Sequence, residues 1–276
     1  MTAEGAVRLA REQARRLRLD PQVTISEVYQ AELLRRLQHK LRGGVVWKGG
    51  TVLRLEGSER FSRDLDATRR QASVQRIELI LREAGVNLAH AAGLEVTAGP
   101  HSVVGIYRFL VPGLPQAVRL KVKISLREKV LLPPSAITTA RIAHPYGVEP
   151  VVVARLDPAE LLAEKARALV MRGAGRDIYD IYWLLQRGVE FAPALFLRKM
   201  DYYRTIGRRV DAAAAVRRAL QQLESYTPSR ARAELANLLP AAQRGLDFAV
   251  IVEDVARALK SWLGRMTPRA NKSRRP

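Results

Sequence analysis

Residues 118–128, VRLKVKISLRE, alternate strictly between apolar and polar side chains. Val118, Leu120, Val122, Ile124 and Leu126 fall on one side of an extended chain, and Arg119, Lys121, Lys123, Ser125 and Arg127 on the other. A period of two is the signature of a β-strand, and a strand with one apolar face needs a sheet whose core lies on that side alone. Helical periodicity elsewhere in the chain has to supply the cover, so the fold class is α/β (α+β).

Residues 4–42 carry that helical pattern, with a break at Leu19-Asp20-Pro21 and an N-cap expected at Thr24 or Ser26. Gly43-Gly44 ends the second helix, and Val45-Val46-Trp47 is short enough for a buried strand. Ser73–Ala84 reads as an amphipathic helix closed by Gly85, and 94–110 as two strands around Gly99-Pro100. The segment 129–148, with three prolines, reads as a loop, and Pro150–Val153 as the last strand. Asp157-Pro158-Ala159-Glu160 then opens a helix, with Asp as N-cap, Pro at the first position and Glu at the third. From there two helices span 157–187 around the turn Arg172–Gly175, and helical patterning continues to about 264. The expected division is a helical N-terminal segment over 1–44, a core over 45–155, a helical C-terminal domain over 156–265 and a disordered basic tail over 266–276.

Composition narrows the function. With 47 Lys+Arg against 27 Asp+Glu the net charge is +20, which favours a polyanionic partner. The absence of cysteine excludes disulfides, thiolate metal sites and a cysteine nucleophile, and His39, His90, His101 and His144 have no ligand spacing, which argues against zinc. No run approaches the roughly 18 apolar residues of a membrane span, and the N-terminus carries charges where a signal peptide has its apolar core; a cytoplasmic protein without a membrane partner is expected.

One stretch carries chemistry. In VVWKGGTVLRLEGSERFSRDLDATRR, residues 45–70, a strand leads into Gly49-Gly50, a helix from about Thr51, and then Asp64-Leu65-Asp66. Glycines let the backbone approach phosphate oxygens, and a helix N-terminus offers free amides to an anion. Asp64 and Asp66, two apart on a strand, point to one face and could hold Mg²⁺ (or Mn²⁺) bridging the phosphates of a nucleoside triphosphate. The plainer alternative is an ordinary turn followed by a solvated strand end. Ser62 has no histidine near it in sequence, so it reads as a turn cap or phosphate ligand, not a nucleophile; Arg60 reads either as a stabiliser of phosphate charge or as a surface residue.

Lys165 falls within the apolar stripe of its helix, where an ammonium needs an anionic partner or ligand. Asp177, in the first turn of the next helix, is the expected partner, and Arg176–Asp180 an ordinary i, i+4 pair. Tyr179, Tyr182 and Trp183 read as core aromatics before they read as base-stacking groups.

Two segments, Lys48-Gly49-Gly50-Thr51 through Arg60-x-Ser62-x-Asp64-Leu65-Asp66 and AELLAEKARALVMRGAGRDIYDIYWLL, resemble the AbiEii/AbiGii nucleotidyltransferase toxins, a branch of the DNA polymerase β-like nucleotidyltransferase superfamily. The match covers about fifty residues in the right order and spacing. The resemblance implies a nucleotidyltransferase-type core with a mixed β-sheet and a toxin paired with an antitoxin. It also implies Mg²⁺-dependent transfer of a nucleotide from a triphosphate to RNA, here the tRNA 3′ end. By residue it implies Asp64, Asp66, Lys165 and Asp177 in catalysis, Asp64 and Asp66 on the metal, and Lys48, Gly49, Gly50, Thr51, Ser62 and Lys165 on the nucleotide. The basic face Arg119, Lys121, Lys123 and Arg127 suits the RNA. Relatives often carry a third carboxylate where Lys123 stands. Three accounts are open: one metal on Asp64 and Asp66, with Lys123 able to pair with either; replacement by Glu128 or Asp177; or loss of catalysis with binding retained. The alternatives for function are transfer to a protein or small molecule, or a catalytically impaired nucleotide- or RNA-binding protein. The reading carried forward is an active one-metal enzyme.

Overall fold

A computed structural model describes residues 2–203 and 211–266, so the expected tail beyond Met266 lies outside the described residues. The chain forms two compact units, one of Met1–Asp157 with Leu235–Leu246 and one of Pro158–Glu234 with Asp247–Pro276.

The first unit is built on a seven-stranded sheet in the order β3-β4-β5-β2-β1-β7-β6, from β1 (Val45–Lys48), β2 (Asp64–Arg69), β3 (Ala91–Ala98), β4 (Ser102–Phe109), β5 (Val118–Ser125), β6 (Ser135–Thr138) and β7 (Val152–Arg155). The pairs β2–β5 and β1–β7 are parallel and the others antiparallel. The alternation in β5 appears as expected: Val118, Leu120, Val122 and Ile124 are buried, Arg119 and Lys123 exposed. Helices α2 (Pro21–Leu41) and α4 (Val74–Gly85) pack on the sheet. Tyr29 of α2 stacks on Phe109 of β4 with ring centroids 3.8 Å apart, and the Tyr107 hydroxyl of the same strand donates to the Leu81 carbonyl of α4 at 2.6 Å. The helices α1 (Ala3–Leu17) and α2, read from sequence as a segment of their own, fall in the unit of the sheet: α2 covers β5, and α1 packs on α2.

Two local expectations are corrected. Asp20, not Thr24 or Ser26, caps α2: its carboxylate accepts from the Gln22 amide at 2.8 Å, and Pro21 takes the first helical position. Thr24 instead donates to the Ala10 carbonyl at 2.8 Å and ties the two helices together. The expected loop 129–148 contains β6 and the short α5 (Ala140–Ala143); β6 lies at the sheet edge, where adjacent prolines are tolerated.

The second unit is helical: α6 (Pro158–Arg172), α7 (Gly175–Gln186), α8 (Pro193–Asp201), α9 (Ala212–Glu224), α10 (Pro228–Leu235) and α11 (Phe248–Met266). Its core includes Leu161, Leu169, Ile178, Phe196 and Trp262, with Phe191 stacked on Trp262 at 3.7 Å. Glu160, read as a capping residue, is buried and paired with Lys199 at 2.6 Å. No helix among the described residues is long and apolar enough to cross a membrane.

Candidate active site

The site begins where β1 ends. Gly49 has φ +77°, a conformation that a side chain makes costly, and it starts α3 (Gly49–Leu55) directly after Lys48. A Cβ on Gly49 would stand 2.9 Å from Oδ2 and 3.2 Å from Cβ of Asp66; one on Gly50 would meet Nη2 of Arg60 at 2.5 Å and Oγ of Ser62 at 3.0 Å. Gly49 is therefore needed for contact with the aspartate strand and Gly50 for contact with the loop that precedes it, before any ligand is considered.

Hydrogen bonds fasten the turn to that strand. Thr51 Oγ1 donates to the Asp64 carbonyl at 2.7 Å, and Ser62 Oγ donates to the same carbonyl at 3.1 Å. The loop between α3 and β2 is held from below: Arg54 donates to Glu27 at 2.8 Å and to the Ser58 carbonyl at 3.1 Å, and lies 4.1 Å over the Phe61 ring. Glu27 also accepts from the Tyr146 hydroxyl at 2.6 Å. Beside the Arg54 interaction with Glu27, burial works to lower the Arg54 pKa, and the carboxylate more than offsets it, so the net shift is upward. Arg60 is buried, donating to the Phe61 carbonyl at 2.9 Å, and is not a surface residue.

Register then decides what faces the two carboxylates. Asp64 pairs with Lys121 and Asp66 with Lys123 across β2–β5, while on the other flank Lys48 of β1 pairs with Asp66. Paired residues on adjacent strands share a face, so three lysines border two aspartates. Lys121 Nζ stands 3.1 Å from Asp64 Oδ2, so Lys121 supplies the ammonium expected of Lys123. Lys48 is buried and its ammonium is engaged by Glu128, itself buried. Glu128, one substitute weighed for the missing third carboxylate, is thereby held by a counter-charge.

Asp64 and Asp66 are half-buried oxygen donors on one face, and no group of three or more metal-ligating side chains occurs among the described residues. This donor set fits Mg²⁺, which keeps several waters and is bound through one or two carboxylates plus substrate phosphates.

Lys165 and Asp177 belong to the second unit, and both are buried. Lys165 Nζ lies 2.7 Å from Asp180 Oδ2 and 3.8 Å from Asp177 Oδ1, so Asp180 is its nearer partner. Asp177 is gripped by Arg172 at 2.6 and 2.8 Å. The spacing of 177 and 180 carried the signal, since residues three apart share a helix face. Tyr179 is buried in the core as expected, while Trp183 packs under Arg187.

The sequence model of the family described as "Nucleotidyl transferase AbiEii toxin, Type IV TA system" matches residues 32–261. No curated protein matches the chain. Among solved structures, MenT4, a nucleotidyltransferase toxin from Mycobacterium tuberculosis, is similar at TM-score 0.51 and 18% identity, over 96% of this chain and 99% of that one. JHP933 from Helicobacter pylori is similar at TM-score 0.50 and 15% identity, over 87% and 93%. These two are likenesses of fold; the family match, which takes in both the glycine–aspartate turn and the Lys165 hairpin, goes further. The chain belongs to the AbiEii family of nucleotidyltransferase toxins, the toxin side of type IV toxin–antitoxin systems, and membership implies an antitoxin partner.

Proposed function

We propose that this nucleotidyltransferase toxin moves a nucleoside monophosphate from a nucleoside triphosphate to RNA, at the 3′ end of tRNA, in a Mg²⁺- or Mn²⁺-dependent reaction in the cytoplasm. The observation that carries the reading is the single sheet face on which Asp64 and Asp66 stand between lysines, beside a glycine turn that no side chain would fit. A divalent cation held by Asp64 and Asp66 supplies charge neutralisation to the triphosphate when bound.

The remaining chemistry belongs to the chain. Gly49 and Gly50 give the phosphates access to the backbone, with Thr51 and Ser62 fixing the turn against β2. Lys121 and Lys123 present ammonium groups on the aspartate face, where negative charge accumulates on the leaving group. An acceptor hydroxyl loses its proton to water and forms the new bond to the α-phosphorus as the bond from that phosphorus to the bridging β-phosphate oxygen breaks and pyrophosphate leaves. Arg119 and Arg127 extend the basic face for the RNA backbone. Lys48 steadies the end of β1 through Glu128, close to the nucleotide. Lys165 and Asp177 are retained as residues the reaction requires, supported by the family match across their segment.

The test incubates purified protein with deproteinised total tRNA, Mg²⁺ and each α-³²P-labelled nucleoside triphosphate in turn. Label in the tRNA band of a denaturing gel, lost with Asp66→Ala, is the expected result. Absence of label with every nucleotide, from protein that still binds triphosphate, would overturn RNA as acceptor.

A further inference from the structure

Beyond the aspartates, the same two strands run out into a cavity of about 520 Å³. Arg69 and Arg70 from the end of β2, with Arg127 and Lys129 from the segment after β5, line it. Four basic side chains therefore line one concave surface, and the one acid among its described lining residues, Glu128, is engaged by Lys48. Arg69, Arg70 and Lys129 are exposed, and neither the Arg69 nor the Arg70 guanidinium has a hydrogen-bond or ion-pair partner among the described residues.

Unpaired arginines scattered over a surface need no explanation, but Arg69 and Arg70 share a hollow with Arg127 and Lys129, and two guanidinium groups side by side there without a counter-charge favour an anion between them. The geometry says which anion. Residues 64, 66 and 68 of β2 and 121, 123 and 125 of β5 alternate onto the aspartate face, and Arg70 and Arg127 are the next members of those two series. Arg70 follows Asp66 by four residues, roughly 13 Å at the usual strand rise. A phosphodiester chain whose end lies at Asp66 would pass its next phosphates over this hollow.

We infer that the Arg69–Arg70–Arg127–Lys129 cavity is the binding site for backbone phosphates of the acceptor strand, just upstream of the nucleotide that receives the transfer. The inference rests on the RNA-acceptor reading and gives it a place on the protein. Guanidinium groups suit this task because each can bond a phosphate through two parallel N–H groups, without regard to base. The cavity then supplies affinity and register, and leaves the chemistry to the aspartate face.

The experiment measures binding of a fluorescein-labelled single-stranded RNA oligonucleotide to the full chain by anisotropy across a salt series. Wild type is compared with the triple variant Arg69→Ala/Arg70→Ala/Lys129→Ala, and with a control that removes the same charge from exposed residues elsewhere, Arg15→Ala/Arg16→Ala/Arg232→Ala. Loss of three phosphate contacts lowers the slope of log affinity against log salt by about 2, at roughly 0.7 per contact for a single strand. The cavity variant is expected to show that drop and at least about tenfold weaker binding at physiological salt, with the control near wild type and triphosphate binding unchanged. Equal RNA binding by wild type and cavity variant, or equal loss in variant and control, overturns the inference while leaving RNA as acceptor. Loss of triphosphate binding with RNA binding intact makes the cavity a nucleotide site and also overturns it. Failure of wild type to bind RNA overturns both this site and the acceptor reading.

Discussion

Gly49 is the residue on which the site's geometry depends most. Its φ of +77° and the 2.9 Å separation of a would-be Cβ from Asp66 Oδ2 mean that Gly49→Ala both strains the backbone and displaces a carboxylate. We expect a stability loss of about 1 kcal/mol and a loss of transfer activity of at least about tenfold with the circular dichroism spectrum retained. An active Gly49→Ala enzyme would show that the turn is only structural. Lys121 makes the opposite prediction: at 3.1 Å from Asp64 it competes with any cation there, so Lys121→Met should tighten Mn²⁺ binding, followed by electron paramagnetic resonance, up to about fivefold in the absence of nucleotide. Unchanged or weaker binding would show that the lysine does not oppose the metal. Gly49-Gly50 and Asp64-x-Asp66 were legible as a turn and a strand with both carboxylates on one face, because glycine breaks an apolar run and residues two apart on a strand share a side; their chemical role was read from the family resemblance. That Lys121, not Lys123, meets an aspartate was not legible, since it depends on the register between strands distant in sequence.

Among elements, two ion-paired joints matter. Lys48 ends β1 with its ammonium engaged by Glu128, both buried, and loss of one partner leaves a charge in a poorly hydrated place. Glu128→Gln should lower unfolding stability by roughly 3–5 kcal/mol in urea titration, and Lys48→Met/Glu128→Leu by less than the single change. A double variant as unstable as the single one would show that apolar packing cannot replace the pair. In the α6–α7 hairpin, Lys165 at 2.7 Å from Asp180 predicts that Asp180→Asn destabilises the fold, while Lys165→Arg, which keeps the charge, retains more stability than Lys165→Met. Equal melting temperatures for the two Lys165 variants would contradict that pairing. The elements themselves were mostly legible: β5 from its alternation, the β3–β4 hairpin from Gly99-Pro100, α6 from Asp157-Pro158. The edge strand β6 was not, because a four-residue strand next to two prolines has too few positions to reveal a period.

At the scale of the molecule, a charge of +20 is carried by a chain whose sheet offers a basic face and a basic cavity on one unit. Strand order was beyond sequence reasoning, yet it is strand order that brings β1, β2 and β5 side by side and gathers residues 48, 64, 66, 121 and 123. A toxin that acts through this face should halt growth when its expression is induced, and Asp64→Ala should relieve the arrest at equal protein level; equal toxicity would separate harm from chemistry. The most direct test of the central claim is pyrophosphate release from triphosphate, in the presence of Mg²⁺, on addition of tRNA. Wild type should release pyrophosphate in step with nucleotide incorporated, and Asp64→Ala and Asp66→Ala should each fall on the order of a thousandfold. Release by either variant at the wild-type rate would contradict the assignment of the reaction to this face.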